Sequence, residues 1–271
     1  MEMVEKWRSN LLDRVPPKLR HQQAMRVLNP AVDTELYLLD VLVTPGTTAI
    51  DVGAHRGLFS VAMREAGANV IAFEPNRELA IYLQKLLGSS ATVVPAGVSD
   101  DAGEAEFFVP VMGAIEVSTR GSLLQNDEPG LRDTRSLRVL KVRLDDLNLH
   151  DVSAIKVDVE GHEMEAIRGM TGTLERERPN LIIESEQRHN DSNPAQLIRH
   201  LINLGYAGYF RHEGSLNPVE QFDVSKHQDP QNSGTADYVM NFLFVPIETE
   251  HDLLPALRSK VADLFTNTED S

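Results

Sequence analysis

The densest group of side chains that could do chemistry lies in the stretch Ile155-Lys-Val-Asp-Val-Glu160. Apolar and ionic residues alternate there, which places Lys156, Asp158 and Glu160 on one face of a strand. Charges on a buried strand need partners, so these three must pair with one another or meet a ligand. The pattern indicates a functional site. The competing interpretation is a structural ion pair between Lys156 and Asp158, with Glu160 capping the next helix.

A second acidic stretch, Ile182-Ile-Glu-Ser-Glu186, places Glu184 and Glu186 on one face at the end of its own strand, and His189 follows shortly after. Neighbouring parallel strands lie about 4.8 Å apart, and open sheets bind ligands in the crevice at the carboxyl ends of their strands. We therefore predict that Asp158, Glu184, Glu186 and His189 converge in this crevice as the catalytic residues.

These residue types suit the removal of a proton from a hydroxyl group. A carboxylate or an imidazole can take the proton as a general base, or carboxylates can bind Mg²⁺, which lowers the pKa of a bound hydroxyl. Asp158, Glu184 and Glu186 could fill either role, because their spacing does not separate a base from a metal ligand. We favour the general base and keep the metal site as the alternative.

A glycine loop, Ala49-Ile-Asp-Val-Gly-Ala-His-Arg-Gly57, joins a short strand to a helix. Gly53 and Gly57 let the backbone approach a ligand, although two glycines at this spacing are also compatible with a plain tight turn. The loop lacks the Gly-x-Gly-x-x-Gly spacing of dinucleotide-binding proteins. Asp51, at the strand end, suits a cationic ligand better than a pyrophosphate, which indicates a sulfonium or ammonium group.

An acid at the end of the next strand completes this cofactor site. Glu74, in Phe73-Glu-Pro75, lies seventeen residues after Gly57, where a carboxylate can accept hydrogen bonds from both ribose hydroxyls of an adenosine. We therefore predict a cofactor site at this edge of the sheet. Its predicted contacts are Asp51, Gly53, Ala54, His55, Gly57, Glu74, Pro75, Val98 and Ser99.

The elements that must position these residues alternate between short β-branched runs and stretches of helical period from residue 47 to 245, which is typical of an α/β parallel sheet covered by helices. We predict seven core strands, with the last two closing the sheet as a hairpin. The predicted strands are 48–52, 69–73, 91–96, 105–109, 137–144, 154–158, 180–184, 206–210 and 238–245. The predicted helices are 58–66, 76–87, 162–175, 194–204 and 251–265.

Two segments fall outside this alternation. Residues 1–45 are predicted to be a helical cap in front of a catalytic domain at 46–271, with prolines at 16, 17 and 30 as breaks. The stretch 110–136 is predicted to be a long irregular connection, and such connections are commonly functional loops. Together the cap and the connection are predicted to close the pocket of the acceptor substrate.

Several of these motifs resemble the FkbM family of S-adenosylmethionine-dependent methyltransferases. The resemblance extends from Glu35 to Pro246, and Lys156-Val-Asp-Val-Glu-Gly161 is its most specific part. The segments that carry it are 44–46, 50–57, 73–75, 142–147, 155–163, 168–169, 178–184 and 241–246.

That resemblance implies a class I methyltransferase (Rossmann-like) fold, with strand order 3-2-1-4-5-7-6 and the last-numbered strand antiparallel. It also implies S-adenosylmethionine as the cofactor and O-methylation of a small-molecule acceptor, a hydroxyl of a sugar, glycolipid or polyketide-type natural product.

The composition limits the partners. With 26 Lys+Arg against 41 Asp+Glu among 271 residues, the formal net charge is −15, which disfavours nucleic acid. The absence of cysteine excludes disulfides and thiolate zinc sites. No apolar run approaches the roughly 18 residues of a membrane span, and residues 1–10 do not form a signal peptide, so we expect a cytoplasmic protein. A homo-oligomer is compatible with these observations.

Two other functions compete with methyl transfer. An NAD(P)-dependent oxidoreductase or epimerase would share the fold, but the glycine spacing and the absence of Tyr-x-x-x-Lys disfavour it. A non-catalytic cofactor-binding subunit is the other alternative, and the intact set of acidic residues disfavours that interpretation.

Overall fold

The main sheet of the protein positions the candidate site. We describe a computed structural model of the chain over residues 34–112, 115–116, 121–123, 133–187, 193–233, 235 and 237–266. Within those ranges the main sheet has eight strands, in the order β11-β10-β12-β9-β8-β1-β2-β3. They are β1 (Thr48–Val52), β2 (Asn69–Phe73), β3 (Ala91–Val94), β8 (Val152–Val157), β9 (Asn180–Glu184), β10 (Tyr206–His212), β11 (Ser215–Pro218) and β12 (Asn241–Pro246).

A second, smaller sheet lies beside the first. Its strands are β4 (Ala96–Val98), β5 (Gly103–Met112), β6 (Ile115–Glu116) and β7 (Asp133–Val142), in the order β4-β7-β5-β6. β5 and β7 pair antiparallel from Gly103 opposite Lys141 to Val111 opposite Asp133. In β5 the exposed Glu104 and Glu106 alternate with the more buried Ala105 and Phe107, as expected for a strand with one solvent-exposed face.

The helices cover the main sheet. They are α1 (Thr34–Leu42), α2 (Leu58–Glu65), α3 (Arg77–Leu87), α4 (Glu163–Arg168), α5 (Thr171–Glu177), α6 (Pro194–Asn203), α7 (Val224–His227) and α8 (Glu250–Thr266). α1 buries Leu38, Leu39 and Leu42 in a cluster that also contains Leu257 and Val261 of α8. In the part of the chain that the structure describes, no helix combines the length and the apolar character that crossing a bilayer requires.

The predicted fold class is confirmed. The order β3-β2-β1-β8-β9-β12-β10 is the predicted order 3-2-1-4-5-7-6, and β12 runs antiparallel to both of its neighbours, β9 and β10. The sheet is α/β, mostly parallel, with the arrangement of class I methyltransferases.

Some details of the prediction were wrong. In the described ranges the sheet has an eighth strand, β11, which forms a hairpin with β10 at the edge of the sheet. β11 lies between β10 and β12 in the chain, so those two strands are neighbours in the sheet without forming a direct hairpin. The predicted strands 105–109 and 137–144 belong to the second sheet. They extend into the stretch predicted to be irregular, as far as residue 112 and back to residue 133.

The predicted helix 162–175 is divided into α4 and α5. Gly169 lies at this division and packs closely against Ser99, which follows β4. A Cβ at position 169 would lie 1.8 Å from the carbonyl oxygen of Ser99. Of the predicted cap, the described part is α1, which packs on the sheet, and residues 1–33 lie outside the described ranges.

Candidate functional site

Two adjacent cavities lie at the carboxyl ends of the central strands. The Glu74 cavity has a volume of about 200 Å³ and extends from Glu74 to the second sheet. The Lys156 cavity has a volume of about 250 Å³ and extends from Lys156 to α1. Gly53, His55 and Asp158 line both cavities, so the two share a wall.

Glu74 follows β2 and is held rigidly. Its Oε2 accepts a hydrogen bond from the His55 amide at 2.8 Å, and its Oε1 accepts one from the Asn76 amide at 2.8 Å. Each carboxylate oxygen has a second lone pair that remains available to a ligand. Burial raises the pKa of Glu74 to about 7, against the two amide hydrogen bonds, which lower it.

The glycine loop brings two strand ends together. Gly53 has φ of +81°, and a Cβ there would lie 1.8 Å from the carbonyl oxygen of Asp158, so only glycine fits between the ends of β1 and β8. The amides of Gly53 and Ala54 both donate to the Phe73 carbonyl oxygen at 3.0 Å. These amides are engaged inside the protein, which agrees with a ligand that has no phosphate at this loop.

Gly57 has a packing role in the structure. A Cβ at this position would lie 2.6 Å from Leu83 Cδ2 of α3, and its amide donates to the Ala54 carbonyl oxygen at 2.7 Å. Gly57 lines neither cavity. Its left-handed backbone, with φ of +83°, allows the close contact between α2 and α3.

Asp51 lines the Lys156 cavity from within β1. Only 2% of the residue is exposed, and the Ser60 hydroxyl donates to its Oδ2 at 2.5 Å. Burial raises the pKa of Asp51 to about 6; the Ser60 hydrogen bond and the charge of Lys156 oppose this shift. A cationic group bound in the cavity would favour the ionised form.

Lys156 is the buried cation of this cavity, with 1% of the residue exposed. Its Nζ donates to Asn241 Oδ1 at 3.0 Å, lies 4.0 Å from Glu184 Oε2 and sits 5.0 Å from the centroid of the Phe59 ring. The ion pair that Lys156 forms is therefore with Glu184, whereas the structural interpretation of the sequence paired it with Asp158.

Three carboxylates meet beside Lys156. Asp158, Glu160 and Glu184 each offer an oxygen within 4.8 Å of the other two. Burial, followed by repulsion from Asp158, raises the pKa of Glu184 well above its usual value, while Lys156 lowers it. Glu184 therefore holds a proton more readily than an exposed glutamate does, and the group can share protons or hold a cation.

The membership of this group differs from the predicted set of Asp158, Glu184 and Glu186. β9 ends at Glu184, so strand alternation does not continue to Glu186, which is 1% exposed and lines neither cavity. Glu160 takes its place because the chain turns after β8: Glu160 adopts φ of +53°, and Gly161 follows it. His189 lies outside the described residues.

The other predicted cofactor contacts divide into two sets. Pro75 and Val98 line the Glu74 cavity, and Ala54 lines the Lys156 cavity. Ser99 lines neither cavity, and its hydroxyl lies 3.0 Å from Nε2 of the buried His162. His55 lines both cavities, and burial and the neighbouring Arg56 lower its pKa to about 4, so its imidazole is neutral at pH 7.

The sequence did not indicate the apolar wall of the Glu74 cavity. Phe107 of β5 forms part of it, together with Gly97, Gly121 and Leu123. A hydrophobic residue in an isolated strand carries no signal of which sheet it joins, so this contact required the structure. The described part of the stretch predicted to cover the acceptor thus lies on the Glu74 cavity.

A comparison with protein families decides the relationship of this chain to known proteins. The model of the methyltransferase FkbM domain matches residues 51–209, more than half of the chain. The chain belongs to the FkbM methyltransferase family.

Two characterised proteins are similar to this FkbM-family chain. The hexuronic acid methyltransferase AglP of Haloferax volcanii is 33% identical over 131 residues, which cover 46% of this chain and 50% of AglP. The AMB antimetabolite synthetase AmbE of Pseudomonas aeruginosa is 25% identical, over 75% of this chain and 11% of AmbE. The chain thus spans about half of AglP and a small part of AmbE.

Solved structures with a related fold include a methyltransferase FkbM from Methylobacillus flagellatus, with 17% identity, a TM-score of 0.45, and coverage of 73% of this chain and 43% of that one. Another is the magnesium protoporphyrin IX methyltransferase ChlM from Synechocystis with bound SAM, with 14% identity, a TM-score of 0.41, and coverage of 80% and 79%.

Proposed function

We propose that this FkbM-family chain is an S-adenosylmethionine-dependent O-methyltransferase that acts on a hydroxyl of a sugar, glycolipid or polyketide-type natural product. One observation carries the proposal: two adjacent cavities share the wall formed by Gly53, His55 and Asp158. A cofactor in one cavity and an acceptor in the other would meet at that wall. The similarity to AglP, a hexuronic acid methyltransferase, supports a sugar-like acceptor.

The Glu74 cavity suits the adenosine part of the cofactor. The remaining lone pairs of the Glu74 carboxylate can accept hydrogen bonds from the two ribose hydroxyls. Val98, Phe107 and Leu123 provide apolar contacts for the base. The sulfonium then lies near Asp158, and the methionine ammonium lies toward Asp51, where negative charge stabilises both cations. In this arrangement Gly57 and Ser99 support the site through packing.

The acceptor would occupy the Lys156 cavity. Methyl transfer is an in-line displacement: the acceptor oxygen forms a bond to the methyl carbon while the carbon–sulfur bond breaks, so the protein mainly aligns three atoms. The hydroxyl proton passes to a carboxylate. Asp158 and Glu184 are the candidates for this general base, because both line the cavity and Glu186 does not.

A divalent metal is the alternative to the general base. The oxygen donors of Asp158, Glu160 and Glu184 match what Mg²⁺ prefers, and a bound metal would lower the pKa of the acceptor hydroxyl. If a carboxylate is the base, EDTA will leave methylation intact, and Asp158→Asn or Glu184→Gln will lower turnover about 10²-fold at unchanged S-adenosylhomocysteine affinity. Loss of the product with EDTA and recovery with Mg²⁺ would instead establish the metal.

Calorimetry with S-adenosylhomocysteine tests the cofactor assignment. We expect micromolar binding to the wild type and weakening by well over tenfold in Glu74→Ala, since two lost hydrogen bonds to a charged group cost about 2 to 4 kcal/mol. Glu78→Gln, an exposed acid in the first turn of α3, is the matched control and should bind as the wild type does. Unchanged affinity in folded Glu74→Ala, or preferential binding of NAD, would refute the assignment.

A further inference from the structure

Part of the wall of the Lys156 cavity is formed by α1. Glu35 lies in the first turn of that helix, is 8% exposed and lines the cavity together with Leu36. An acid with so little exposure needs a favourable electrostatic environment to remain ionised. The motifs of the catalytic domain do not account for it, since Glu35 precedes β1 in the chain.

The environment of Glu35 includes a buried arginine. Arg211 of β10 is 7% exposed, and the negative charges that stabilise it are Glu35 and Asp237. Arginine stays protonated in proteins, so Arg211 provides a fixed positive charge that attracts the Glu35 carboxylate.

The charges of the Lys156 cavity indicate what kind of molecule it takes. Its acidic lining residues outnumber its cationic ones, and the Nζ of Lys156 already donates to Asn241 and lies 4.0 Å from Glu184. Carboxyl oxygens accept hydrogen bonds, so this lining complements a ligand that offers many O–H donors, and its excess of acidic side chains disfavours a negatively charged ligand. The acidic residues are Glu35, Asp51, Asp158 and Glu184, and the cationic ones are Arg56 and Lys156.

We propose that Glu35 is an acceptor-binding residue that accepts hydrogen bonds from hydroxyls of a neutral, polyhydroxylated ring. This inference rests on the proposed methyltransferase function and adds to it a specificity residue and the charge of the acceptor. Asp158 and Glu184 are assigned to the hydroxyl to be methylated, and Glu35 to hydroxyls elsewhere on the ring. Phe59 and Leu36 contact its apolar faces.

The test measures binding of two probes to the protein saturated with S-adenosylhomocysteine, by saturation-transfer NMR titration. The probes are methyl glucopyranoside, which is neutral, and methyl glucopyranosiduronate, its anionic counterpart. We expect the wild type to bind the neutral glycoside more tightly than the anionic one. Glu35→Ala should weaken binding of the neutral glycoside at least tenfold, and Glu35→Gln should weaken it less, because the amide oxygen still accepts one hydrogen bond.

Asp40→Asn is the matched control. Asp40 lies on the same helix, but its side chain is 55% exposed and pairs with Lys260 at the surface, so glycoside binding should not change. Unchanged glycoside binding in Glu35→Ala, no binding of the neutral glycoside by the wild type, or tighter binding of the anionic glycoside would overturn the inference. S-adenosylhomocysteine affinity, measured first on each variant, should stay within twofold of the wild type. If the wild type does not bind S-adenosylhomocysteine, the proposed function itself is refuted.

Discussion

At the residue scale, the candidate site keeps acids where water cannot stabilise their charge. Asp51 and Glu74 are 2% and 4% exposed, and burial is the main cause of the raised pKa of each. Without a cation in the cavities, both side chains therefore keep a proton to a higher pH than exposed carboxyl groups do. A sulfonium cofactor supplies the missing charge, so the same burial that destabilises the empty site favours binding of a cation.

This arrangement predicts an unusual pH dependence of stability. Between their ordinary values, 3.8 and 4.5, and their raised pKa values of about 6 and about 7, Asp51 and Glu74 bind protons more in the folded than in the unfolded chain. Their contribution is therefore fully present below about pH 4 and is lost as the pH rises through 6 to 7, at a cost of roughly 3 kcal/mol for each group. We expect the ligand-free protein to melt at a lower temperature at pH 8 than at pH 5.

The double variant Asp51→Asn, Glu74→Gln is the control for that experiment. It removes both titrations, so the difference in melting temperature between pH 5 and pH 8 should shrink. An equally large difference in the double variant would show that other groups, such as Glu184, are responsible.

The residues of the site could be predicted from the sequence wherever they lie on a strand or at its immediate end. Asp51, Lys156 and Glu184 are of this kind, and all three line the Lys156 cavity. Alternation fails one or two residues beyond a strand, because the backbone no longer has a period of two. For that reason Glu186 was placed in the acidic group where the structure has Glu160. Glu35 gave no signal, since its role depends on a contact between distant segments.

At the element scale, the close contact between the ends of the parallel strands β1 and β8 depends on one glycine. Gly53 combines a left-handed backbone with direct contact to the Asp158 carbonyl, whereas Gly46 has φ of +86° and no atom within 4 Å of a built Cβ. A substitution at Gly46 therefore causes backbone strain alone, whereas one at Gly53 causes the same strain and a steric overlap. Elements with such contacts cannot shift independently, so the end of β8 that carries Asp158 is fixed relative to the glycine loop.

Alanine substitutions test this directly. Gly46→Ala should lower the free energy of unfolding by about 1 to 2 kcal/mol, the cost of a left-handed non-glycine residue. Gly53→Ala should cost at least twice as much and should also weaken S-adenosylhomocysteine binding, because the strand ends must separate. Chemical denaturation and calorimetry on both variants provide the measurement. Equal losses in the two variants would show that the contact with Asp158 can relax.

The sequence predicted the existence and the type of the elements better than their partners. The strand boundaries 48–52, 69–73 and 180–184 agree with β1, β2 and β9. β5 and β7 were identified as strands, but the two-residue alternation of side chains does not reveal which sheet a strand joins. The second sheet was therefore not predicted. β11 contains Asn217 and Pro218, which weaken the strand signal at an edge.

At the scale of the whole molecule, the charge of −15 acts on every ligand that approaches. S-adenosylmethionine carries one positive charge more than S-adenosylhomocysteine, at the sulfur. The acidic protein is therefore expected to attract S-adenosylmethionine more strongly than S-adenosylhomocysteine, over distances that salt shortens to about 10 Å at 0.1 M.

Salt should separate the two ligands. Raising NaCl from 0.05 to 0.5 M is expected to weaken S-adenosylmethionine binding by about threefold or more, and to change S-adenosylhomocysteine binding much less, because only the former loses a net attraction. Calorimetry at both salt concentrations measures the two affinities. Parallel changes for both ligands would mean that the sulfonium does not experience the acidic field.

The wall shared by the two cavities also has a consequence for inhibition. A conjugate that joins adenosine to a polyhydroxylated ring by a short linker is expected to place one part in each cavity, because Gly53 and Asp158 line both. Such a compound would occupy both halves of the site at once, and the second half would bind at the high effective concentration that the linker imposes. Relatives with a different residue at position 35 would bind its adenosine half equally well, so selectivity among them would reside in the ring.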